Sequence, residues 1–234
     1  MDIGKSFSFV FEDDRWVTKI LIAAAILAVG FVFFWLALIP VFLAFLLLAG
    51  YQVEITRRVI RGVTPVLPEW DDWGKLLVEG VKFAVIGLVY ALPAIVVSIC
   101  LGVPLGLFGQ NANGDPNWVG WVFGGPLACL NIVWAILVAL VLPAAVAKYV
   151  VNDDLSAAFR FGEVISFVRK NLTTYILTAV MSWVAGLIGS LGTSLCGIGW
   201  LATYPYSIIV TGHLYGQAYL QATRPVAPAP EPAS

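Results

Sequence analysis

The residues with chemistry to offer are few. His213 is the only histidine, and Gln217 follows it four positions later, so on a helix the two share a face. Together with Asn131, in a separate apolar run, they define a candidate polar cleft between helices. The plainer use of each is an interhelical hydrogen bond, worth about 0.6 kcal/mol in a membrane. One histidine makes no metal site, and Cys100, Cys129 and Cys196 have neither C-x-x-C spacing nor a histidine nearby, so no metal centre or redox motif is expected. A Cys100–Cys196 disulfide stays open. Gly4-Lys5-Ser6 lacks the upstream glycine and preceding strand of a phosphate-binding loop. The stretch Gly189 to Gly199 needs its glycines for a turn, and a selectivity filter would need a ring of such loops. No nucleophile–base pair is visible along the chain, which points away from an enzyme and implies no cofactor.

What positions these residues is overwhelmingly apolar. Apolar residues make up 60% of the chain and charged residues 12%, with 9 Trp and 14 Phe. A soluble domain carries about 25% charged residues, so lipid is the expected solvent. A crossing needs about 20 apolar residues. Phe83–Val103, Val119–Ala147, Leu172–Leu191 and Ile198–Leu220 each fit. Ile20–Val53 is too long for one crossing, and charge decides how it is divided. Lysine and arginine fall before Ile20, between Val53 and Phe83, between Ala147 and Leu172, and at Arg224, and nowhere in the other connections. Two crossings in the first region put every basic residue on one side, as the positive-inside rule requires. The expectation is therefore an all-α integral membrane bundle of six transmembrane helices in three hairpins, with both termini cytoplasmic. The first hairpin would turn near Trp35–Pro40. No cleaved signal peptide is expected, because the first apolar run begins only after Glu12, Asp13 and Asp14.

The chain also reads as one transmembrane domain, 1–222, of three pseudo-repeats at about 1–62, 63–151 and 152–222. A Pro/Ala-rich tail at 223–234 is too simple in composition to build a core. Each repeat opens with an amphipathic segment, Ile3–Lys19, Pro68–Lys82 or Asp153–Lys170, expected to lie as a surface helix in the cytoplasmic interface. In the third, Leu155, Phe159, Gly162, Ile165 and Val168 follow helical spacing, while Glu163, Ser166 and Arg169 face elsewhere. Trp16, Trp70 and Trp73 are expected at headgroup depth, with Trp118 and Trp121 at the opposite boundary. Glu54 and Lys148 approach the bilayer core most closely, each near the cytoplasmic side, so nothing resembles a proton relay. Small residues at four-residue spacing mark packing surfaces: Ser182, Gly186 and Ser190 in one row, Gly189 in the row beside it, and Gly212 with Gly216 in the last span.

The segments MDIGKSFSFVFEDDRWVTKILI, LPEWDDWGKLLVEGVKFAVIGLVYALPA and GIGWLATYPYSIIVTGHLYGQAY resemble the domain-of-unknown-function 4013 family of prokaryotic membrane proteins. The resemblance spans nearly all of the chain except its tail, and Leu67–Gly74 is its most specific part. It implies a prokaryotic cytoplasmic membrane and brings no activity or functional residue with it. The function expected is that of a non-enzymatic accessory or scaffold subunit, whose partners are the lipid bilayer and other membrane subunits, with no role for nucleic acid. The alternative is a transporter or lipid-handling protein with a cleft between repeats.

Overall fold

A computed structural model describes residues 3–13, 15–32, 38–111, 114, 115, 117–194 and 199–224. Its elements are helical: α1 (Ile3–Ser8), α2 (Trp16–Val32), α3 (Leu38–Arg61), α4 (Trp73–Val97), α5 (Val103–Phe108), α6 (Trp118–Asn152), α7 (Phe161–Lys170), α8 (Leu172–Leu191) and α9 (Trp200–Thr223). A π-helical turn, Ser98–Gly102, joins α4 to α5. Four of the described helical stretches are long and apolar enough to cross a membrane: Ile39–Arg61, Trp73–Phe108, Trp118–Asn152 and Leu172–Ser194. Of the two further crossings expected, α2 has 17 residues, and α9 is diluted by Ser207, Thr211, His213, Gln217 and Gln221. Residues 35–37 of the expected turn near Trp35–Pro40 fall outside the described residues. Pro40 itself sits in the first turn of α3, where a missing N–H leaves no helix bond unmade.

The helix ends follow from local chemistry. Asp72 caps α4 by accepting the Lys75 N–H at 2.9 Å, and Asn117 caps α6 by accepting that of Gly120 at 3.1 Å. Such caps satisfy N–H groups that no helical carbonyl reaches. At the end of α3, Gly62 takes a φ of 65°. Val63 N–H then returns to the Arg58 carbonyl at 2.9 Å and Gly62 N–H to that of Val59 at 3.3 Å. This is the paired closure that a left-handed glycine permits.

Only one of the three expected surface helices forms as such. Ile3–Lys19 is divided into α1, a 3-10 turn at Phe9–Glu12 and the first residues of α2. Pro68–Lys82 is no separate helix either. Once Asp72 has capped the chain, nothing between Trp73 and Val97 interrupts the helix, and the amphipathic residues become the first turns of α4. The third segment does form α7, but its buried residues are Val164 and Val168, with Phe167 half-buried, while Gly162 and Ile165 are exposed. A 3-10 turn at Leu155–Phe159 precedes α7, so the helical spacing does not run unbroken from Leu155 to Val168.

The core forms around α3. On one side Ala44, Leu48, Tyr51 and Ile55 pack with Ala23 and Leu27 of α2, Leu76 of α4 and Ile209 of α9. On the other, Val53 meets Ile86 of α4, Tyr149 of α6, Tyr175 of α8 and Tyr215 of α9. Lipid offers no hydrophobic drive between helices, so close backbone approach must hold them. Gly50 and Gly80 permit the closest: a Cβ on Gly50 would overlap the Leu76 carbonyl, and one on Gly80 the Leu46 carbonyl.

The bundle is uneven. Between Ala91 and Leu142, only Gly109 is fully buried among the described residues. Over this stretch α4, α5 and the first two thirds of α6 present apolar side chains outward, among them Leu107 and Phe108, and the Trp118 and Trp121 side chains are both 73% exposed.

Candidate functional site

Polarity concentrates at one end of the bundle, where α3, α6 and α9 finish and α2, α4 and α8 begin. Arg57 is its hub. Its Nη1 donates to Glu54 Oε2 one turn earlier at 2.8 Å, and its Nη2 to Glu79 Oε2 of α4, also at 2.8 Å. Tyr149 of α6 donates its hydroxyl to the same Glu79 oxygen at 2.5 Å. Lys82 reaches Glu79 Oε1 at 3.1 Å, and Lys75 reaches Glu54 Oε2 at 3.1 Å. Asp153, at the end of α6, lies 3.6 Å from Arg57. Arg57 and Glu79 are each 5% exposed and Glu54 is 8% exposed. With so many donors on it, Glu79 has little acceptor capacity left for chemistry. The cluster acts as a tie among α3, α4 and α6.

Its charges nearly balance. Arg57, Lys75 and Lys82 are matched by Glu54, Glu79 and Asp153, and Arg58 is the surplus cation. Arg58 Nε lies 3.6 Å from Glu54 Oε1, on a carboxylate that already serves Arg57 and Lys75. Its Nη1 donates to the Pro65 carbonyl at 3.1 Å.

Beside this cluster the N-terminal segment closes over α9. Ser6, fully buried, lies 3.0 Å from His213 Nδ1 through its Oγ and donates to Gln217 Oε1 at 3.4 Å. Phe9 stacks on the imidazole at 4.1 Å between ring centroids. Lys19 anchors the same segment: its Nζ meets Asp13 at 2.8 Å, the Leu67 carbonyl at 3.1 Å and Glu69 at 3.1 Å. The Asp13 carboxyl is pushed up by burial, but the hydrogen bond from Lys19 and that from the Arg15 N–H outweigh it and hold it below its ordinary value. Ser6 and His213 stand at the separation of a nucleophile and its base. The buried hydroxyl, beneath the stacked ring and within reach of both His213 and Gln217, ties the N-terminal segment to α9.

The structure thus brings His213 and Gln217 together, with Ser6 between them, and leaves Asn131 elsewhere. Asn131 accepts from Ser98 in the π-turn at 3.0 Å and donates to the Leu127 carbonyl at 2.9 Å. It borders a small apolar pocket with Pro93 and Trp134. A cavity of about 740 Å³ opens where α3 and α9 end, lined by Arg58, His213, Gln217, Gln221 and Arg224 together with the apolar Val59 and Leu220.

The packing residues separate by role. Gly212 and Gly216 face α3, where an added Cβ would come within 2.8 Å of the Gln52 carbonyl and 2.6 Å of Val59. A Cβ on Gly189 would come within 2.7 Å of Ser207 Oγ of α9, whereas one on Gly186 would meet nothing; Gly186 and Ser190 are exposed and Ser182 is half-buried. Of the tryptophans, Trp73, Trp118 and Trp121 are exposed and Trp16 half-buried. Trp70 is 9% exposed and stacked on Tyr51 at 4.4 Å, with its Nε1 donating to the Lys19 carbonyl at 3.3 Å. The ring packs inside the protein, because the non-helical run before α4 folds it against α3. Cys100 and Cys129 are free and exposed, and Cys196 lies outside the described residues. Among the described residues no group of three His, Cys, Asp or Glu is placed to hold a metal.

Four apolar helices of crossing length, with ion pairs gathered at one end, fit a helical membrane protein. The family of unknown function DUF4013 matches residues 32–198, and the chain belongs to it. No curated protein and no solved structure matches the chain.

Proposed function

We propose that the protein is a non-enzymatic, six-crossing protein of a prokaryotic cytoplasmic membrane, with its charged end and both termini in the cytoplasm. In this reading it serves as an accessory or scaffold subunit of a membrane complex. The observation that carries the reading is the distribution of polarity. The ionic cluster locks α3, α4 and α6 at one end. From Ala91 to Leu142 the α4–α5–α6 pair is apolar and nearly unburied, and its polar pair Ser98–Asn131 is already satisfied. A transport route along this flank would need polar groups along its length. A scaffold needs a rigid base and an apolar flank. Gly87, Gly106 and Gly125 meet no other atoms within contact distance, so a foreign helix can approach there.

The native thiols Cys100 and Cys129 sit on this flank and supply the test. Photo-activated crosslinkers attached to them in intact membranes should trap one protein partner in a stoichiometric band. Native mass spectrometry after gentle extraction should give the same partner. Crosslinks to lipid alone, with a lone protomer in the spectrometer, would refute the subunit reading.

A further inference from the structure

We propose that the cavity at the ends of α3 and α9 binds a phosphate-bearing anion between Arg58 and Arg224. The site is independent of the subunit reading and stands on its charge, size and wall.

Arg58 is the surplus cation of the ionic cluster, and Arg224 has no acidic partner among the described residues. No described acid lines the cavity. Opposing the two arginines are the C-termini of α3 and α9, each equivalent to about half a negative charge. Two positive charges against about one leave the cavity net positive. Arginine is also the residue whose planar fork matches phosphate oxygens. Asp13 and Glu12 border the adjoining pocket beneath Phe9, but Asp13 is held by Lys19, so the positive ground is the Arg58–Arg224 side.

The volume, about 740 Å³, lies in the range of small-molecule sites, roughly 300–1,000 Å³. Its lining mixes polar side chains, Gln217 and Gln221, with apolar ones, Val59 and Leu220. The Gln221 Oε1 is buried without a hydrogen-bond partner. Such an atom calls for a donor, which a headgroup hydroxyl or a protonated phosphate oxygen supplies. A phosphate for the arginines with an apolar portion for the valine and leucine is the chemistry of an anionic phospholipid headgroup. A soluble phosphate would use the arginines alone.

The experiment is native mass spectrometry of the full-length protein in detergent, titrated with dioctanoylphosphatidylglycerol and, separately, dioctanoylphosphatidylcholine. Inorganic phosphate is the competitor. The anionic lipid should bind at least tenfold more tightly than the zwitterionic one. A charge-assisted hydrogen bond lost from either arginine should weaken it roughly tenfold or more. Arg224→Gln, at an exposed helix end, tests this without touching the core, and Arg58→Gln tests the second arm of the grip. Arg169→Gln/Lys170→Gln on α7 should leave binding unchanged. Displacement by millimolar phosphate, with direct phosphate binding to delipidated protein, identifies a soluble ligand. Lipid binding that phosphate does not displace identifies the headgroup. Equal affinity for the two lipids together with no binding of phosphate, or binding unaltered in both arginine variants, overturns the proposal.

Discussion

Replacing Arg57 with methionine tests whether the ionic cluster holds the bundle. The substitution keeps an unbranched side chain but removes both 2.8 Å bonds, to Glu54 and to Glu79. Breaking one partner out of a buried ion pair costs about 3–5 kcal/mol, because the remaining charge stays in a poorly solvated place. Here the lower end applies. Lys75 still reaches Glu54 and Lys82 still reaches Glu79, both at 3.1 Å, and Tyr149 keeps its bond to Glu79. A loss of about 3 kcal/mol in a chain of this size corresponds to a fall in Tm of roughly 6–12 °C. Circular dichroism of the detergent-solubilised protein during heating reads it. The triple variant Glu54→Gln/Arg57→Met/Glu79→Gln removes the uncompensated carboxylates as well and should recover more than half of the lost Tm. If Arg57→Met moves Tm by less than 2 °C, or the triple variant is worse than the single, the carboxylates do not depend on Arg57 and the tie is elsewhere.

Three further outcomes are expected. Gly80→Ala drives a methyl into the Leu46 carbonyl and should cost about 1–3 kcal/mol or more despite better helix propensity, whereas Gly186→Ala, with open space around it, should be neutral or stabilising by up to about 1 kcal/mol; thermal unfolding of both variants decides this, and equal effects would mean that α3 and α4 do not approach so closely. In single-tryptophan variants reconstituted with brominated lipid, Trp118 and Trp121 should be quenched and Trp70 protected, and strong quenching of Trp70 would return it to the headgroup layer. The Asp13 carboxyl is held below its ordinary value by Lys19. Its contribution to N-terminal docking is therefore complete above about pH 3.9, the unfolded value, and lost as pH falls through the lower folded value. Hydrogen exchange of residues 6–12, corrected for intrinsic rate, should stay protected from pH 6 to 4 and open below. Opening already between pH 6 and 5 would contradict that assignment.

The helical class was legible because lipid leaves the chain so few options: every backbone polar group must be bonded within its own segment. Charge position was legible too, since the cationic clusters mark one end of the bundle. The pairing within those clusters was not. Glu54 and Arg57 are one turn apart, as are Glu79 and Lys82, and that spacing is visible in the sequence. It reads equally as a solvated helix face, and only the crossing of α3 over α4 brings Arg57 to Glu79. The same crossing depends on Gly50 and Gly80, isolated glycines with no repeat to advertise them. Gly212 and Gly216 carried the four-residue signature and do lie at a helix contact. Ser6 was invisible as a partner of His213 because 207 positions separate them. The packing of Trp70 on Tyr51 was not legible either, because the sequence does not show which way the backbone turns an aromatic residue that lies near charges.

The continuous helical stretch Trp73–Phe108 has 36 residues and Trp118–Asn152 has 35. At 1.5 Å per residue they are about 54 and 52 Å long, against about 40–45 Å for a whole bilayer with its headgroups. Standing upright, the pair would protrude by about 10 Å. A lean of about 35° would fit it within the full bilayer, near the upper limit seen for membrane helices. The first turns of α4 carry Lys75, Glu79 and Lys82, so the apolar part, about 39 Å from Phe83 to Phe108, is what exceeds the hydrocarbon core of about 30 Å. Lipid thickens locally around such a stretch at a cost of fractions of a kcal/mol per Å. The α4–α5–α6 pair is therefore a ruler as well as a flank. It favours thicker patches of membrane, and any neighbour with equally long helices would share the deformation and be drawn to its side.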